Sequence, residues 1–165
     1  MADNPFSLVY LKLWDMLETS SMVTNLVRVG NRQKFDSNYG PKPVTIDVDK
    51  PELILQPESF IADLKATSST TDITKDYTLF ISTGNWDLDK YFNSLSWELI
   101  RAVLQWDTQL VALKWNEKSF VREMALTEAE EGTEQDEESR QPQGWAAVWR
   151  IQVMMQFLTT DLRLP

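Results

Sequence analysis

Cysteine and histidine are both absent from this 165-residue chain, and the two gaps remove most familiar catalytic chemistry. Within the chain there can be no zinc finger, no Cys-His or Ser-His triad, no thiol redox pair and no histidine-based metal site. Disulfides cannot form. Glycine is scarce, and Gly30, Gly40, Gly84, Gly132 and Gly144 are scattered; none opens the G-x-x-x-x-G-K pattern that cradles phosphates. Apolar runs are broken by polar residues well short of the roughly 18 positions a membrane helix needs. The opening Met-Ala-Asp-Asn-Pro shows no basic region followed by an apolar run, so the expectation is a soluble intracellular product with no membrane partner. Clustered Lys and Arg, which DNA-gripping proteins use to release counterions, are also missing.

What is present is ordinary globular material: 42% hydrophobic and 25% charged residues. The length suits one domain that buries about two thirds of its unfolded surface. The formal charge of -9 is uneven. Seven acidic residues and no basic one lie between Thr127 and Glu138, namely Glu128, Glu130, Glu131, Glu134, Asp136, Glu137 and Glu138, which leaves 18 acidic against 16 basic residues elsewhere. This run predicts a flexible acidic loop at about residues 127 to 143. Seven tryptophans are many for the length, and aromatics supply large contact area either to a core or to a neighbouring subunit.

The chain is organised around Tyr77 to Trp106. Tyr77-Thr-Leu-Phe-Ile-Ser82 alternates as a strand, with Tyr77, Leu79 and Ile81 on one face and Phe80 on the other. Past Thr83-Gly84-Asn85 the apolar period lengthens to about 3.6. Leu88, Tyr91 or Phe92, Leu95, Leu99, Ala102 or Val103, and Trp106 then mark a helix, with Asp87 or Asp89 placed to cap it.

Taken in order, Asn4-Pro5 reads as a helix start, and Phe6, Val9, Tyr10, Leu13, Met16 and Leu17 form its apolar face. Leu8, Leu11 and Trp14 make a second stripe, for deeper burial or for another subunit. Residues 22 to 29 fit either a short helix or a strand. Residues 34 to 43 carry loop chemistry; 44 to 48 alternate as a strand, and Glu52 to Gln56 form another that Pro57 closes. The polar stretch from Thr67 to Asp76 reads as a loop. Val111 to Trp115 is a short strand or linker. Phe120 to Leu126 alternates, and so do residues 145 to 157, whose face Trp145, Ala147, Trp149, Ile151, Val153, Met155 and Phe157 is the clearest strand signal in the chain. Together they predict a long C-terminal β-hairpin whose far end projects beyond the body. The sum is an α+β domain: a mainly antiparallel sheet with two principal helices packed on it. No internal repeat is visible.

Candidate chemistry is thin. Asp47 and Asp49 alternate on an extended segment and could hold Mg²⁺ as in a carboxylate-dependent nuclease. Such sites usually place an acid two residues before a Lys, where Lys50 has Val48. The acidic run lacks the Asp-x-Asp-x-Asp-Gly spacing of a Ca²⁺ loop. A DNA mimic would need a less local charge. No residue is identified as catalytic, and no metal or cofactor is expected.

An N-terminal helix, a Pro-containing loop, Pro51-Glu-Leu-Ile-Leu55, Tyr77-Thr-Leu-Phe-Ile-Ser-Thr-Gly84, a long helix and two closing strands together resemble the tail terminator (tail completion) proteins of long-tailed bacteriophages. The resemblance spans nearly the whole chain. The acidic insertion between Leu126 and Gln141 is longer than that family's final hairpin would have. The resemblance implies a non-enzymatic virion protein, assembled in the host cytoplasm, that forms a ring, commonly a hexamer, on the end of the tail tube. Such a ring stops tube growth, offers the head-completion or connector protein a joining surface, and lets genomic DNA pass without specific binding. Trp14, Arg122, Trp145 and Arg150 are the interface candidates, and an acidic lumen would suit a conduit for DNA. Two alternatives remain open: another head-tail connector or tail-tube component, and a carboxylate-dependent metal enzyme.

Overall fold

A computed structural model describes residues 4–28, 32–36, 40–41, 49–63, 68–84, 87–110, 113–115, 117–135, 138 and 142–162. Helix α1 spans Pro5–Thr19. As expected, Asn4 caps it by accepting from the Phe6 amide at 3.0 Å, with proline in the first turn. Ser20 then serves two helices. Its N–H closes α1 onto the Leu17 carbonyl at 3.2 Å, and its hydroxyl accepts from Val23 N at the start of α2, Ser21–Leu26. The segment that reads as either a short helix or a strand is thus a short helix up to Leu26. Arg32 holds that helix's free carbonyl end, its guanidinium donating to the carbonyls of Val27 at 2.8 Å and Thr24 at 3.2 Å.

Six strands follow: β1 (Arg32–Asp36), β2 (Gly40–Pro41), β3 (Glu52–Ala62), β4 (Thr70–Thr83), β5 (Phe120–Gln135) and β6 (Pro142–Leu158). They form one sheet in the order β2-β1-β3-β4-β6-β5, in which β1 and β3 are parallel and every other pair is antiparallel. Between β4 and β5 in the chain runs a π-helical turn, Leu88–Asn93, that leads into α3, Ser94–Leu110. Asp87 caps it through a 3.1 Å bond from Lys90 N. The helix continues past Trp106, its expected end. The architecture is α+β, mainly antiparallel, with α1 and α3 as the principal helices and a C-terminal hairpin.

Four boundaries differ from expectation, each for a physical reason. Arg32–Asp36 overlaps the loop expected from residue 34, because Arg-Gln-Lys-Phe-Asp has no apolar alternation; pairing with β3 makes it a strand. β3 does not stop at Pro57: the register shifts between Pro57 and Phe60, so the proline sits at a bulge where it breaks no ladder. Thr70 to Asp76 is not loop but the first half of β4, where Thr71, Ile73 and Lys75 are buried and alternate with Thr70, Asp72 and Thr74. Threonine and lysine on the core side hid that period. The largest correction concerns the acidic run. Residues 127 to 135 are strand, paired with β6 from Pro142 to Arg150, so most of the predicted flexible loop is the outer arm of a hairpin with strands of 16 and 17 residues. Asp136 and Glu137 lie outside the described residues, as does the strand expected at 44 to 48.

One core lies between the helices and one face of the sheet. Val9, Leu13, Trp14 and Leu17 from α1 and Leu95 and Leu99 from α3 meet Leu53, Leu55, Tyr77, Leu79, Ile81 and the predicted β6 face from Ala147 to Phe157. Tyr10 stacks on Tyr77 with ring centroids 6.4 Å apart and donates to the Leu55 carbonyl at 3.0 Å. Lys75 also points into this layer. Its ammonium donates to the carbonyl of Glu58, within the bulge, and lies 5.5 Å from the Phe6 ring centroid. Burial pushes its pKa down against the pull of Glu58 and Asp76.

Candidate functional site

The opposite face of the sheet carries no helix among the described residues, and it is there that most chemistry-bearing side chains gather. The register orders them in rows across the strands. Ile54, Phe80, Val148 and Glu130 form one row; Gln56, Thr78, Arg150 and Glu128 form the next; Asp76, Gln152 and Ala125 form a third. Carboxylates outnumber cations on this face. Arg150 pairs with Glu128 at 3.0 Å, and Arg122 reaches across β6 to Asp72 at 3.2 Å. All four side chains are well exposed, so each pair contributes at most about 1 kcal/mol.

A cleft of about 350 Å³ opens in the middle of this face, lined by Glu58, Ser59, Asp76, Thr78, Glu128 and Arg150 among others. Two bulges frame it. On one side β3 bulges at Glu58 and Ser59; on the other β5 bulges at Thr127, whose hydroxyl donates to the Arg150 carbonyl at 3.2 Å. Bulges on the two strands that flank β4 and β6 dent the sheet here from both sides. The lining mixes carboxylates, hydroxyls, an amide and one guanidinium without a nucleophile set beside a base. Among the described residues no three Asp or Glu converge as metal ligands. Asp47, half of the Mg²⁺ pair considered above, lies outside the described residues; Asp49 is exposed in the turn before β3.

The interface candidates separate. Arg122 and Arg150 share the uncovered face with Glu128 and Glu130, while Glu131 lies on the other side of β5 and Glu138 is exposed near the hairpin tip. Glu134 pairs with Gly144 at the end of the ladder. The two tryptophans do not join them. Trp14, expected at an interface, is 1% exposed and fills the core, because α1 turns its second stripe inward at that position. Trp145 is half-buried on the core side, its ring 6.1 Å from that of Phe92. The hairpin also projects less than expected, since β6 is paired with β4 from Trp145 to Leu158 and only the end beyond runs past the body.

Exposed apolar groups lie elsewhere. Trp97 is 63% exposed on the outer side of α3, with Ile100 one turn on; Phe60 and Ile61 are exposed at the end of β3. Sequence reasoning missed all four. For Trp97 and Ile100 a signal existed, because both fall outside the apolar stripe of their helix; for Phe60 and Ile61 the premature strand end at Pro57 concealed it.

No protein-family model matches the chain, and no curated protein matches it. Among the described residues, no helix is long and apolar enough to cross a membrane.

Proposed function

We propose that this protein is a structural component of a long-tailed bacteriophage virion, a tail terminator that forms a ring at the end of the tail tube, stops tube growth and provides the head-joining surface. The observation that carries the reading is the two-sided sheet: helices cover one face, while the other is uncovered, rich in carboxylates and without a catalytic constellation among the described residues. A ring needs two different patches per subunit, because head-to-tail contacts join unlike surfaces. Trp97 with Ile100 and Phe60 with Ile61 are two such apolar patches, on different layers. An acidic sheet face turned to a lumen would repel DNA and keep the passage free of binding. The tail tube protein and a head-completion or connector protein are the partners this reading names, with the hexamer as the expected ring.

The test is the mass of the purified protein by light scattering, followed by electron microscopy of the protein mixed with tail tubes. A ring, or caps at tube ends, is expected. A monomer that ignores tubes would sink the proposal.

A further inference from the structure

We infer that the outer edge of β5, from Thr127 to Gln135, is a docking site for an extended segment of a partner protein bearing lysine or arginine at alternate positions, which joins the sheet as an added strand. β5 is the last strand of the sheet, and among the described residues only Phe120 is bridged on its outer side, to Lys114. Beyond that bridge the edge offers a row of backbone donors and acceptors with no ladder partner among the described residues, the usual template for strand addition.

The side chains along this edge are open to solvent. Each described side chain from Leu126 to Thr133 is exposed, although its partners Ile151, Trp149 and Ala147 across the ladder are buried. An added strand would lie about 4.8 Å away, so side chains directly opposite would meet. Glu128 and Glu130 project on the uncovered face, where cations spaced by two residues would meet them in turn, while Glu131 lies on the other face. At Gly132 nothing lies within 4 Å of where a Cβ would stand, and its neighbour across the ladder is Ala146. The open space at Gly132, beside Glu130 on the same face, leaves room for the aliphatic stem of a long basic side chain.

Charge also selects the occupant. A second copy pairing through the same edge would set glutamates against glutamates, which disfavours it. Arg150 on the neighbouring β6 pairs with Glu128 at 3.0 Å, and Glu130 lies beside them on the same face. The site stands whether or not the chain forms a ring.

The probe is a synthetic Lys-Val-Lys-Val-Lys-Val-Lys peptide, compared with one of equal charge in which prolines replace the valines. Binding is measured by calorimetry at low salt and located by amide hydrogen exchange. The first peptide should bind, slow exchange within residues 127 to 135, and lose affinity about tenfold against the double variant Glu128→Gln, Glu130→Gln, whose melting should match the parent. The proline peptide should not bind. Equal binding by both peptides would reduce the site to diffuse attraction and overturn the proposal. So would unchanged exchange at 127 to 135, or protection there that grows with protein concentration alone, since the occupant would then be a second copy.

Discussion

The two halves of β5 share one partner strand and meet at the bulge at Thr127, yet they live in different environments. In the first half, Phe120 to Leu126, Val121 is 0% and Met124 8% exposed, because they lie within the reach of the helical layer. In the second half, from Thr127 on, every described side chain is exposed on both faces. The ladder with β6 nonetheless continues to Gln135. Strand formation and burial are therefore separable here: pairing with β6 imposes the extended backbone on a glutamate-rich sequence of low β-propensity, and the extent of the helices decides what is buried.

The sharpest way to break this comparison is to truncate the buried half. Met124→Ala removes a side chain packed in the core and should cost about 2 kcal/mol or somewhat more, read as a drop in the urea midpoint with unchanged slope. A cost near zero would mean that the helical layer does not close over β5.

That environment explains what was legible in the sequence. β6 was plain because its core face is wholly apolar from Trp145 to Phe157, and the first half of β5 was plain for the same reason. The second half was not. Its carboxylates cluster without period, since neither face is buried and no selection for alternation acts there. The first half of β4 was hidden differently: its inward positions hold Thr71 and Lys75, whose burial depends on the Glu58 carbonyl and the Phe6 ring, contacts that only the folded chain brings together. Of the candidate site, the arginines and glutamates are legible in the sequence, but their gathering on one face follows from the register. The burial of Trp14 is not legible, because within its stripe Trp14 turns fully inward while Leu11 stays 49% exposed.

Tyr77 stands on the row that divides the two halves, opposite Ile151, which in turn faces Leu126. Its hydroxyl donates to the Phe6 carbonyl at 3.3 Å, so Tyr77→Phe should cost about 1 kcal/mol at neutral pH. Burial, reinforced by Tyr10, holds the phenol above its ordinary 10.0. The unfolded chain releases this proton first, so Tyr77 contributes stability below pH 10 that is lost as pH rises beyond it. Lys75 acts in the opposite sense. With its folded value lowered from 10.5, the unfolded chain holds the extra proton in that window and stability rises with pH toward 10.5. Stability profiles from pH 8 to 11 should therefore fall more steeply in the parent than in Tyr77→Phe; identical profiles would show that the phenol is not buried in solution.

The smallest effect belongs to the acidic half. Glu131 sits on the same side of β5 as Met124, opposite the buried Ala147, but beyond the helical cover. Glu131→Ala should change stability by less than about 0.5 kcal/mol, because an exposed side chain away from caps and networks loses little when truncated. The sign is informative. Glu130 and Glu128 belong to the same run of like charge, so removing one glutamate relieves repulsion and should leave the protein equal or slightly more stable, an advantage that salt erases by screening. A loss of 1 kcal/mol or more would mean that this half is covered in solution by something the isolated chain does not supply. Repeating the measurement across a concentration series then tells a second copy from an internal contact, since only the former makes the loss depend on protein concentration.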